Sequence, residues 1–185
     1  MDFIPLTEDL MKEHALVTRI LIIYDKCVEI LSESPILSTI SIVKQTAQIV
    51  RNFVENYHEY IEETYIFPLF SNDKKYDILI KELIHQHTIS REITSSIITD
   101  IENIENIKNV IDNIKKFNKI YVAHINVEDL SLIKNVRSHI SEDEFIKLSK
   151  KFDEIEDEKL GKHGFKKILK ELILIEHKLG IRFRI

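Results

Sequence analysis

With 185 residues, 44% of them hydrophobic and 31% charged, the chain has the balance of an ordinary soluble protein and enough apolar material for one domain with a real core. A formal charge of -5 argues against a protein that neutralises a nucleic-acid backbone, and the short basic runs Lys115-Lys116 and Lys166-Lys167 read as solvated helix faces. Three Gly, three Pro and no Trp, against abundant Ile, Leu, Lys and Glu, leave few turns and predict an all-α fold.

The stretch from Met1 to Leu10 carries Asp2, Glu8 and Asp9 and no apolar run that would serve as an export leader. No later segment approaches a membrane-spanning length, so a cytoplasmic location with no membrane partner is expected. The single Cys27 excludes an intramolecular disulfide; its spacing places it beside the core row of its helix, in a packing role.

The first helix is predicted to begin near Thr7, with Glu8 and Asp9 at the positive end of its dipole, and to stop before Ser32-Glu33-Ser34-Pro35. Leu10, Val17, Leu21, Tyr24, Val28 and Leu31 alternate by three and four residues, the seam of a bundle helix, and the missing member of the row is His14. A second helix should run from about Ser38 to Phe67-Pro68, where proline lacks the amide donor and ends or kinks it. Val50, Val54, Ile61, Tyr65 and Leu69 trace its inward face, and His58 and Glu62 lie on that face one turn apart. The third helix, from about Asp73 to Asp100, places Tyr76, Ile80, Leu83, Ser90, Thr94 and Ile97 in a row whose gap is filled by His87. After a polar connection around Glu102 to Asn109, the fourth gives Val110, Ile114, Phe117 and Tyr121, then His124 and Glu128, then Leu132. His58 to Glu62 and His124 to Glu128 thus form an internal repeat, with similar tails at Ile66-Phe67 and Leu132-Ile133. Beyond Arg137, Ser141 and Glu144 make a capping-box signature for a fifth helix ending near Gly161, and a sixth runs from His163 to Gly180. The expected organisation is an up-down-up-down four-helix bundle over residues 1–137, with a C-terminal helical appendage over 138–185 that packs on the bundle or serves as a homodimerisation element.

Any one inward histidine is explained by a hydrogen bond in the core. Four imidazoles and two carboxylates turned into one bundle are not, because each unpaired polar or charged group carries its own desolvation penalty. A bound metal pair offsets that penalty. Nitrogen and carboxylate donors without thiolate suit iron or manganese better than structural zinc, and two carboxylates suit two bridges between metals.

The motifs resemble the hemerythrin-like family, the HHE cation-binding domains, over roughly residues 7 to 135. The resemblance is carried by Glu13-His14 on the first helix, His58 with Glu62-Glu63 and Phe67-Pro68 on the second, His87 on the third, and His124 with Glu128-Asp129 on the fourth. The residue before His87, commonly acidic in the family, is Gln86 here. What the resemblance implies is a centre of two non-haem iron ions with an oxo or hydroxo bridge, held by His14, His58, Glu62, His87, His124 and Glu128. Oxygen-carrying hemerythrins have a further histidine one turn after the third-helix ligand, where this chain has Arg91, and an aspartate five residues after the fourth-helix histidine, whereas Glu128 stands at four. Both departures resemble the four-histidine, two-glutamate pattern of bacterial iron-centre repair proteins. With roughly six positions per iron, that donor set leaves about one open on each metal. It favours binding or processing of a diatomic ligand or peroxide, in oxidative or nitrosative stress defence or iron-centre repair, over reversible oxygen carriage. Whether turnover occurs stays open, and the competing reading is an oxygen or iron sensor without turnover. A ferritin-type oxidase fits less well, since those bundles use Glu-x-x-His spacing.

Of the other candidates, His85 falls on nearly the opposite face from His87. His139 and His177 are expected at the surface, and His163 is the one histidine of the appendage that folding back would bring to the centre as an extra ligand. Tyr24, Tyr65 and Tyr121 share the core rows, chiefly as packing, though phenols there can hydrogen-bond a bridge or terminal ligand, and Arg91 is placed either to fill the missing histidine's space or to pair with a carboxylate such as Glu63.

Overall fold

The structure is a computed structural model that describes residues 6–182. Residues 1–5, half of the stretch read for an export leader, and 183–185, at the end of the expected appendage, lie outside the described residues.

Six helices follow one another, with no strand among the described residues. Helix α1 is Leu6–Glu33, opened by Glu8 and Asp9 as expected. Helix α2 covers residues 37–70 without a break in winding sense, but not as uniform α-helix. It is α-helical over Leu37–Ile49, π-helical over Val50–His58, α-helical over Glu59–Ile61, π-helical over Glu62–Ile66 and 3-10 over Phe67–Phe70. Pro68 sits in this last turn, where the helix has tightened to 3-10, and the helix ends two residues beyond it. Helix α3 is Asp77–Asp100, led by a 3-10 turn whose N-cap Asp73 accepts from the Lys75 amide. Helix α4 is Ile107–Val127 and starts three residues before Val110, with Ile107 joining the core; it continues as a π segment Glu128–Leu132 and a 3-10 segment Ile133–Ser138. Helix α5, Glu142–Leu160, opens on the capping box formed by Ser141 and Glu144. Helix α6 is Gly164–Lys178.

The first four helices pack in a ring, α1 against α2, α2 against α3, α3 against α4 and α4 against α1, the neighbour relations of an up-down-up-down bundle. The core runs along its axis through Leu10, Val17, Tyr24, Val54, Ile61, Leu83, Ile97, Ile114, Phe117 and Tyr121. On α2 the buried row departs from a simple three-four count. Tyr65 and Leu69 are only partly buried, and Ile66, Phe67 and Phe70 take the core positions. Each π turn adds a residue per turn and rotates everything after it relative to a regular helix, which carries the row onto those neighbours. Cys27 lies within the core and not beside it: its side chain is fully buried, and burial pushes its thiol up to about 12. It is a packing residue, as expected.

Helices α5 and α6 lie against α1 and α2. Phe152 meets the Tyr65 ring edge-on, Gln45 donates to Glu171, and Arg19 pairs with the buried Glu176. No described helix is long and apolar enough to cross a membrane.

Candidate metal centre

Each of the four bundle helices sends one imidazole to the axis at the same level, and α2 and α4 add a carboxylate one turn on. His14, His58, Glu62, His87, His124 and Glu128 are all at most 2% exposed. The imidazole Nε2 atoms face inward: His58 Nε2 is 3.3 Å from Glu62 Oε1, His14 Nε2 and His124 Nε2 are each 3.3 Å from Glu128 Oε2, and His87 Nε2 is 3.5 Å from Glu62 Oε2. The donors fall into two overlapping quartets. One is His14, His58, Glu62 and Glu128; the other is His87, His124, Glu62 and Glu128; within each, the donor atoms lie within 4.8 Å of one another. Both glutamates belong to both sets, the arrangement expected of two carboxylates shared by two cations.

The opposite edge of every imidazole is also engaged. His14 Nδ1 lies 2.8 Å from Asp129 Oδ1, His58 Nδ1 2.7 Å from Glu13 Oε2, His87 Nδ1 2.8 Å from Glu63 Oε1 and His124 Nδ1 3.0 Å from Gln86 Oε1. Since these oxygens only accept, each Nδ1 carries a hydrogen, which leaves Nε2 as the atom whose lone pair would meet a cation at the centre. The four contacts close a circuit: Glu13 of α1 holds His58 of α2, Glu63 of α2 holds His87 of α3, Gln86 of α3 holds His124 of α4, and Asp129 after α4 holds His14 of α1. The holder is in every case the residue next to a central donor in the chain. Consecutive helical positions differ by about 100°, so when one points down the bundle axis its neighbour points at the adjoining helix.

These residues fit a metal pair on their own chemistry. His14 Nε2, Glu62 Oε2 and both Glu128 oxygens are buried without a hydrogen-bond partner. His87 Nε2 and His124 Nε2 stand 3.0 Å apart, lone pair to lone pair once both Nδ1 atoms donate outward, an arrangement that needs a proton or a cation to relieve it. The electrostatics point the same way. Burial opposes charge on His14, yet the hydrogen bonds its ring donates to Asp129, Glu128 and Glu62 outweigh it and hold its pKa well above the usual histidine range. Against the same burial, Glu62 and Glu63 push His87 up to about 10. Burial would raise Glu62, but the charge of His58 and hydrogen bonds from His14 and His87 keep it well below the usual carboxylate range. The enclosure concentrates positive charge.

Aromatic rings wall the centre. Phe67 stacks on His87 at 5.8 Å between centroids, Phe53 on His58 at 6.5 Å, and Tyr121 lies 5.4 Å from His124. The Tyr121 hydroxyl donates to Glu59, not to a central donor, and Tyr57 donates to Glu13 at 2.7 Å. Arg91 pairs with Glu63 at 2.7 Å, as expected, and also with the buried Glu59 at 2.7 Å. It faces these acids instead of supplying a fifth inward donor.

The remaining candidates separate. His85 and His177 are exposed, and Tyr24 and Tyr65 do not reach the centre, Tyr65 lying against Tyr60 and Phe152. His163 is exposed in a left-handed turn (φ 62°) at the start of α6 and adds no ligand. His139 is not a free surface residue: its ring tilts against Phe70 at 4.4 Å and its Nε2 lies 3.5 Å from Asp73. Glu13, Glu63, Gln86 and Asp129 were visible in the sequence only as parts of family-like pairs. Their orienting role depends on which helix stands beside which, and adjacency to an inward donor is the signal that would have found them. The structure also separates the two adjacent acids of the π segment that follows α4: Glu128 faces the centre, while Asp129, a third exposed, holds His14 from outside.

At 28% identity the chain is similar to an uncharacterized protein of Mycobacterium bovis and to uncharacterized proteins of two strains of Mycobacterium tuberculosis, over 96% of this chain and 72% of each relative. No solved structure matches it. Residues 6–136 match the hemerythrin HHE cation binding domain, a span that takes in all four bundle helices and every inward donor. The chain belongs to the hemerythrin HHE cation-binding domain family.

Proposed function

We propose that this chain is a non-haem di-iron protein that binds or processes small oxidants, dioxygen, peroxide or nitric oxide, in defence against oxidative or nitrosative stress or in the repair of iron centres. The observation that carries the reading is the pair of overlapping two-histidine, two-glutamate quartets, with all four Nε2 atoms turned in and all four Nδ1 atoms held from outside. His14 and His58 would hold one ion, His87 and His124 the other, and Glu62 and Glu128 would be shared. Bound iron would supply redox chemistry and positions at which a small oxidant binds. The protein's part is to fix the tautomer and orientation of the imidazoles through their Nδ1 hydrogen bonds and, with Phe53, Phe67 and Tyr121, to narrow the space to small molecules. Arg91, committed to Glu59 and Glu63, leaves the donor set at four histidines, which favours open positions over saturated coordination.

Metal analysis of anaerobically purified protein should give about two irons per chain. Its optical spectrum should then change on exposure to one or more of dioxygen, peroxide and nitric oxide. Zinc, a single metal or none would overturn the reading. Replacing His58 or Glu128 by Ala should abolish the metal pair and leave helical content largely intact; full iron retention in both variants would remove these residues from the site.

A further inference from the structure

We infer that the two metal positions are unequal, with the one formed by His87 and His124 the weaker holder, and that Gln86 is the positioning residue responsible. The inference rests on the paired-metal reading above. The four imidazoles look alike from inside the site and differ in what stands behind them. His58 is backed by Glu13, which is 3% exposed and takes a neutral hydrogen bond from Tyr57, and His14 is backed by Asp129. Among the described residues neither acid is paired with a Lys or Arg, so both imidazoles on that side donate to a carboxylate that no cationic side chain offsets.

The other side lacks this. His124 donates to a neutral amide oxygen, and the assignment of that oxygen is supported because Gln86 Nε2 donates to Glu82 Oε1 at 3.0 Å. His87 donates to Glu63, whose same oxygen, Oε1, already takes 2.7 Å from Arg91 Nη2. An imidazole whose N–H leans on a carboxylate gains negative charge at its other nitrogen and becomes the stronger donor. One leaning on an amide, or on a carboxylate already matched to a guanidinium, gains less. Both departures fall on the same pair of histidines, so their effects add at one position. The shared glutamates serve both positions and do not cancel the difference. The ion held by His87 and His124 is therefore the more weakly held, the more readily surrendered and the stronger Lewis acid.

The test is a Co(II) titration of the metal-free full-length protein, followed by calorimetry and by the ligand-field absorption of the bound ion. The wild type should take two equivalents in distinguishable steps. Restoring the acid as Gln86→Glu, combined with Glu82→Gln to prevent repulsion along α3, should tighten the weaker step by about 10- to 100-fold and leave the stronger step in place. Glu13→Gln should instead weaken the stronger step by a similar factor. A merely structural role for Gln86 would not move one step selectively, and circular dichroism of each variant separates a folding defect from a donor effect. Two equal steps in the wild type, or a Gln86→Glu/Glu82→Gln protein whose weaker step is unchanged, would overturn the inference and leave the paired-metal reading standing. Fewer than two ions per wild-type chain would overturn both.

Discussion

Glu55 stands at the edge of the acidic row that α2 sends toward α3. It is 4% exposed, with Arg51 2.6 Å away and Glu59 one turn further on. Burial is the largest influence on it and outweighs Thr94, Arg51 and Arg91, pushing its pKa up to about 7 from an ordinary 4.5. A carboxyl raised in the folded state binds its proton more tightly there than when unfolded, so its contribution to stability falls as pH rises from 4.5 to about 7. Glu55→Gln should therefore raise the melting temperature at pH 8, by the equivalent of about 1–3 kcal/mol, and have little effect at pH 4. Thermal melts at the two pH values check this, and a gain of equal size at both would contradict it. At the centre itself, Glu13→Ala removes the acceptor of His58 and should weaken metal binding about 10- to 100-fold without loss of helix, read by competition with a chelator. The six inward donors were legible because each takes the place of an apolar residue in a core row. The acceptors behind them were not, because a residue one step from the row is ordinarily a flank, and only the ring of neighbouring helices turns it into a partner.

The elements show where pattern reading holds and where it slips. Helix α1 follows its three-four row throughout, since nothing interrupts its α-hydrogen bonding. On α2 and α4 the pattern is carried through π turns placed in register with the repeat. The Phe67 amide bonds back five residues to the Glu62 carbonyl, the Ile133 amide does the same to Glu128, and each segment then tightens into a 3-10 end. The widened turns bury consecutive residues, Ile66 with Phe67 and Leu132 with Ile133. The tails were readable as a likeness, but the π geometry was not, because its hydrogen-bond shift leaves no periodic trace in five residues. At the α5 to α6 corner the constraint is steric. A Cβ on Gly164 would overlap the Leu160 side chain, just after His163 in its left-handed conformation. Gly164→Ala should cost about 1–3 kcal/mol. Hydrogen exchange should locate the loss in α5 and α6, and uniform loss across the bundle would argue that the corner and the bundle open as one unit.

For the whole molecule, metal and fold should be linked by mass action. A ligand that binds only the folded chain, present at a thousand times its dissociation constant, adds about 4 kcal/mol. Removing metal should thus lower the melting temperature markedly while leaving the helical spectrum at 25 °C nearly unchanged, because the apolar core along the bundle axis does not depend on the centre. Identical melts with and without metal would show that the donors are not engaged.

The repeat has a consequence for how the chain could be divided. Residues 6–70 and 77–138 each offer one inward histidine on their first helix and His-x-x-x-Glu on their second, followed by a π turn and a 3-10 end. Neither hairpin owns a complete quartet, since each quartet borrows a glutamate across the middle. A cut between Ser71 and Lys74 would leave two pieces with matching halves of the same clasp, and metal would act as the rivet that rejoins them.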